Sequence, residues 1–184
     1  MMTLLTIATA IQFVLLLGLA VVVLSLARQV GILHERLSPA GMTRAREGIE
    51  VGQTVPGMPL ISVSGAPVSF TGGPTALLFV SSECPICKSV LPAFEAALEA
   101  SGYQGFWVAD GLPGPSGETP DYHRYAADHH LDEGRLLVSP ELGLTLDVRQ
   151  IPALVLLDAD QRLVAREILS GPKQVGALML AQSA

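Results

Sequence analysis

Two cysteines three residues apart, Cys84-Pro85-Ile86-Cys87, stand between a short apolar run and a stretch of helical spacing, and they are the only cysteines of the chain. The run before them, residues 76–80, is continuously apolar, as a buried central strand requires. After them Val90, Leu91, Phe94, Ala97 and Leu98 form an apolar stripe at helical intervals. Gly102 supplies a stop, and Pro92 removes one amide donor inside the helix. Two thiols in the first turn of a helix can reach disulfide distance. The first faces free amides and the positive dipole end, which favour a thiolate. A thiolate attacks disulfides, and the deeper second thiol can resolve the mixed disulfide that forms.

The rival for this tetrapeptide is half of a zinc site, completed from His34, His123, His129 or His130. Structural zinc takes four ligands. None of these histidines has an H-x-x-x-H spacing, and adjacent residues such as His129 and His130 diverge on a helix. A passive disulfide would close so small a loop that it constrains little of the unfolded chain. A peroxidatic cysteine is a further alternative: Ser81 sits three residues before Cys84, where Ser or Thr is expected, but Leu77 holds the expected proline position.

The remaining elements come from turn and cap signals. Residues 60–63 and 68–70 flank Ser64-Gly65-Ala66-Pro67 and read as a hairpin. Strands are predicted at 105–108, 136–138, 153–157 and 163–167. Helices are predicted at 122–130, started by Thr119-Pro120-Asp121 with Thr119 as the cap, after Ser139-Pro140-Glu141, and at 172–181. Phe106 and Trp107 read as core. Tyr122 and Tyr125 read equally as surface or as client contacts. The alternation implies an α/β sandwich around a mixed sheet.

Ahead of this domain, residues 4–27 contain no charge, and 19 of the 24 are apolar. As a helix they extend ~36 Å, enough to cross a bilayer core of about 30 Å. The segment is too long, and its start too poor in Lys and Arg, for a cleaved signal, so 1–28 is read as a retained transmembrane anchor and 29–54 as a juxtamembrane helix and linker. The domain is placed at 55–184. Arg28, Arg36, Arg44 and Arg46 follow the span, and the positive-inside rule then puts the domain in the cytoplasm. Dithiol chemistry on disulfide-bearing proteins argues for the opposite side. The formal charge of −6 speaks against nucleic acid as a partner.

Ile151-Pro152 precedes the second-last pair of strands. Together with the strand, the C-x-x-C at a helix start, and Pro92 five residues after Cys87, it resembles the thioredoxin superfamily. That resemblance implies a cis bond at Ile151-Pro152, packed against the redox pair and exposing backbone to an extended client. The long interval around residues 111–131 and the hairpin resemble the membrane-anchored TlpA-like branch. Ala27-Arg28-Gln29-Val30-Gly31, Leu33-His34-Glu35-Arg36, Ser38-Pro39-Ala40-Gly41, Cys84-Pro85-Ile86-Cys87 and Val138-Ser139-Pro140-Glu141-Leu142-Gly143 resemble the MauD family.

The resemblance implies a thioredoxin-like mixed-sheet sandwich with an N-terminal hairpin and a central insertion, preceded by one transmembrane helix. It also implies a thiol–disulfide oxidoreductase. Cys84 would be the nucleophile and Cys87 the resolving thiol, with Ile151, Pro152, Pro85 and Ile86 meeting the client. The client would be the methylamine dehydrogenase small subunit, and the working redox state of the pair would be restored by a membrane or periplasmic redox partner. The cysteine pair would serve in place of any cofactor or metal. A general TlpA-like periplasmic disulfide reductase, or a maturation scaffold without catalysis, would use the same surface. Several features depart from thioredoxin. Glu83 replaces the Trp before the first cysteine, strand 76–80 carries no acid, and Pro85-Ile86 contains no His. Lys88 is a cation one residue past Cys87.

Overall fold

A computed structural model describes residues 48–113 and 117–182, together with residues 2, 6, 7, 11–13 and 15–21. The chain divides into two compact units, Met1–Ala45 and Arg46–Ala184. In the first unit the described residues are helical and exposed. No helix among the described residues is long and apolar enough to cross a membrane. The predicted span 4–27 lies partly, and residues 29–47 of the predicted juxtamembrane helix and linker wholly, outside the described residues.

The second unit is built on a five-stranded sheet. Its order is β5 (Leu136–Val138), β4 (Gln104–Ala109), β3 (Thr75–Val80), β6 (Ala153–Leu157) and β7 (Leu163–Ile168). β3, β4 and β5 are parallel, while β6 runs antiparallel to β3 and β7 antiparallel to β6. Every residue of β3 is buried, so the central strand carries apolar side chains on both faces. A separate hairpin joins β1 (Leu60–Ile61) to β2 (Pro67–Val68), around Gly65 at φ 84°.

Alternation along the strands divides the core in two. Leu78, Val80, Trp107, Leu136, Leu154 and Leu156 face α1 (Pro85–Ser101) and α4 (Lys173–Gln182). α2 (Tyr122–His129) lies on the same side, through Tyr122, Tyr125 and Ala126. Leu77, Phe79, Phe106, Val108, Val155 and Leu157 face the hairpin and the short α3 (Pro140–Thr145). The result is three layers with the sheet in the middle.

Two sequence expectations are adjusted. The cap of α2 is Asp121, not Thr119: its Oδ1 accepts from the amides of His123 and Arg124, both at 3.1 Å. A carboxylate placed directly before the first helical residue reaches the N2 and N3 amides, which leaves Thr119-Pro120 outside the helix. The domain also begins before residue 55. The amide of Ile49 bonds Thr145 O at 2.9 Å, and Gly52 and Gln53 pair with Leu163 at 2.7 and 2.9 Å. These bonds cover the start of the β7 edge, and Ser62 bridges Leu137 on the opposite edge strand. Covered edges suppress pairing with other chains.

Candidate active site

β3 ends at Val80, and the chain turns through Ser81 into the cysteine pair. Cys84 is the N-cap of α1 (φ −92°, ψ 110°), and its sulfur accepts from the Cys87 amide at 3.1 Å. Pro85 occupies the first turn, where its missing N–H has no partner to lose. The turn contains no acidic residue, so the positive end of the helix dipole acts on Cys84 unopposed from within its own helix.

Cys84 and Cys87 form a disulfide, with Cα atoms 5.2 Å apart. Cys87 is fully buried, while Cys84 is only half-buried. An attacking thiol from outside therefore has access to one sulfur of the pair. Pro85 and Ile86 stand in solvent beside it, Ile86 at 46% exposure. Glu83 and Lys88 are exposed.

The antiparallel register Phe79↔Ala153 brings the residues before β6 to the same end of the sheet as the cysteines. Ile151–Pro152 there is a cis peptide bond. Pro152 is buried, and its carbonyl accepts from the Leu169 amide at 2.8 Å, which ties the loop to the exit of β7. Ile151 is half-buried and packs against both halves of the core, and Cys84 packs against one of them. Among the described residues neither the amide nor the carbonyl of Ile151 has a hydrogen-bond partner. The exposed apolar side chains Leu112, Val138 and Ile168 follow or end the strands that reach this rim.

The insertion approaches the same end. A groove of about 380 Å³ lies between Ser82, Glu83 and Lys88 of the redox loop and Glu118, Arg124 and His129 of the insertion. Tyr122 and Tyr125 are buried, which resolves the alternatives the sequence leaves open for them in favour of core. Tyr122 donates to Asp110 Oδ1 at 3.5 Å, linking α2 to the end of β4. Burial pushes the Tyr125 hydroxyl up to about 12, with the neighbouring Tyr122 a smaller cause. Burial also raises Tyr122, assisted by Asp110.

Sequence reasoning does not find Asp147, Arg149 and Arg166. Arg149 Nε donates to Asp147 Oδ1 at 2.7 Å, and Arg166 Nη2 lies 3.6 Å from Asp147 Oδ2. The hydrogen bond and charge of Asp147 raise the Arg149 guanidinium above its usual value. Arg166 is separated from Asp147 and Arg149 by β6 and a turn, so no local pattern announces its contact.

No protein-family model matches the chain. It is 34% identical over 169 residues to the methylamine utilization protein MauD of Methylorubrum extorquens, covering 89% of this chain and 80% of that one. It is 33% identical over 168 residues to MauD of Paracoccus denitrificans, covering 89% and 81%. Among solved structures, the thioredoxin domain of a thiol-disulfide oxidoreductase from Bacteroides vulgatus superposes with a TM-score of 0.59 at 15% identity, over 74% of this chain and 100% of that one. At that identity the likeness shows the fold, which is thioredoxin-like.

Proposed function

The chain belongs to the MauD family of methylamine utilisation proteins, and on that premise we propose that it is a membrane-anchored thiol–disulfide oxidoreductase that forms or corrects disulfides in the methylamine dehydrogenase small subunit. One observation carries the chemistry: a cysteine pair at a helix N-terminus with one sulfur accessible and the other buried. In the reducing direction the Cys84 thiolate attacks a client sulfur and displaces the other client sulfur as a thiolate. Cys87 then attacks Cys84 Sγ, which releases the second client thiol and closes the Cys84–Cys87 disulfide. The oxidising direction is the reverse. The pair is its own redox group, and no cofactor or metal enters the scheme.

The client segment lies across Pro85, Ile86 and the Ile151–Pro152 loop, with the free backbone groups of Ile151 pairing with an extended chain. Residues 1–28 anchor the protein in the inner membrane and the domain faces the periplasm, where disulfides persist. This side is chosen on chemistry against the arginines at 28, 36, 44 and 46. A membrane or periplasmic partner restores the working redox state.

Two measurements test the proposal. A Cys84→Ser, Cys87→Ser double variant is expected to abolish growth on methylamine while cytochrome c formation stays normal. Growth that survives would make the protein a scaffold, and cytochrome loss would make it a general reductase. Glutathione equilibration then sets the direction: a potential near about −120 mV marks a disulfide donor, and one near about −270 mV marks a reductant or corrector.

A further inference from the structure

The backbone between α3 and the cis bond, residues 146–150, is held from three sides, the first being α3 itself, where Gly143 O accepts from the Val148 amide at 2.8 Å. Asp147 takes a left-handed conformation at φ 50°, which an L side chain adopts at a cost unless its surroundings fix it. Arg166, on β7, reaches across to it. Nη1 donates to Leu146 O at 2.7 Å and to Ile49 O at 3.4 Å, while Nη2 stands 3.6 Å from the Asp147 carboxylate. From the third side Gly48 closes in. A Cβ there would fall under 3.0 Å from the Asp147 backbone nitrogen, Cα and Cβ. A planar guanidinium serves several acceptors at fixed angles, which the single ammonium of a lysine does not.

The position of this clamp gives it a role beyond stability. Residues 146–150 lead into Ile151, whose backbone is the free edge at the redox rim. A groove of about 260 Å³ runs beside them, lined by Arg149, Gln150, Arg166, Glu167 and Ile168 among others. We propose that Arg166 is a positioning residue for client recognition: by fixing Leu146 and Asp147 it holds the Ile151 backbone in the orientation that an extended client segment pairs with. The client part of this assignment rests on the oxidoreductase reading; the holding of the loop does not.

The test uses the full chain in detergent, as wild type, Arg166→Gln, Arg166→Lys and Asp147→Asn. Asn keeps the shape of Asp and tolerates the left-handed backbone, so Asp147→Asn is the variant least exposed to misfolding. Amide hydrogen exchange is followed in residues 146–152 and in α1. Pre-reduced protein is then mixed with insulin under single-turnover conditions: the Cys84–Cys87 dithiol is oxidised and one insulin disulfide is reduced to two thiols. The potential against glutathione is measured in parallel. Arg166→Gln is expected to speed exchange in 146–152 alone and to raise the half-saturating insulin concentration about tenfold, since a small misplacement of a recognition element has effects of that order. The plateau rate and the potential should not move, and Arg166→Lys and Asp147→Asn should be intermediate. Unchanged exchange in 146–152, or a parallel fall of plateau rate and half-saturation affinity, would overturn the proposal. If the potential marks a disulfide donor, the same variants are compared with the disulfide form of the protein oxidising reduced insulin chains; a wild-type chain inert in both directions would sink the oxidoreductase reading, and the exchange data would still decide whether Arg166 holds the loop.

Discussion

At the scale of single residues the site separates exposure from burial within one tetrapeptide. Cys84 meets solvent because it caps the helix, and Cys87 is sealed because the next turn points into the core. That division was legible in the sequence, since Cys84 precedes the helix while Cys87, one turn in, lies at helical spacing with the apolar stripe Val90, Leu91 and Phe94. The fate of Tyr125 was not legible, because tyrosine is as much at home on a surface as in a core. Tyr125 is buried, and its hydroxyl has no hydrogen-bond partner among the described residues. Its folded-state pKa of about 12 lies above the ordinary value of 10.0. Between those two values the unfolded chain gives up a proton that the folded chain keeps, so stability falls as pH rises through the window and is whole below it. Tyr103 and Tyr122 are raised too, and they add in the same direction. The urea midpoint should therefore drop between pH 9 and pH 11, and drop less in Tyr125→Phe. At pH 8 that variant should match or exceed the wild type, because an unpaired buried hydroxyl costs about 1–3 kcal/mol. A clear loss of stability in Tyr125→Phe at pH 8 would mean that the hydroxyl has a partner.

At the scale of elements, helix α1 shows how local signals survive folding. Its stripe Val90, Leu91, Phe94, Ala97 and Leu98 is buried as the spacing implies, and Pro92 sits inside it without ending it. The helix stops at Gly102, which adopts φ 71° and returns its amide to Leu98 O at 3.3 Å. A Cβ at Gly102 would meet nothing within 4 Å, so the cost of a side chain there is the backbone conformation alone. Gly102→Ala should cost about 1–2 kcal/mol in the urea midpoint, with the potential of the cysteine pair unchanged. A neutral result would show that the helix end refolds into another cap. The same reasoning explains the misassigned cap of α2, whose first residue, Tyr122, is where the sequence puts it. Thr119 and Asp121 are both good caps in isolation, and what decides between them is where Tyr122, Tyr125 and Ala126 join the core, packing that no short window contains.

At the scale of the whole molecule, the succession of elements, the mixed sheet between helices and the position of the cysteines were readable from runs and periodicities, while the order of strands within the sheet was not. The entry of the chain into the domain was not. Residues 48–54 are mixed and polar, with no period of two or 3.6. They belong to the domain through backbone groups, which carry no side-chain signature: Ile49 to Thr145, Gly52 and Gln53 to Leu163, and the Arg166 and Arg162 side chains to the Ile49 and Gly52 carbonyls. This segment also shields the start of β7. A fragment beginning at residue 46 should therefore fold as the domain does in the full chain, while one beginning at residue 56 should lose several hydrogen bonds at about 1 kcal/mol each. The shorter fragment should also uncover the β7 edge and self-associate, as unprotected edges do. Urea unfolding and sedimentation of the two fragments check this. Equal stability and equal monomer content would show that residues 46–55 merely lie against the domain. A selective loss in the shorter fragment would place the segment around Ile49, whose carbonyl accepts from Arg166, inside the structure that presents Ile151.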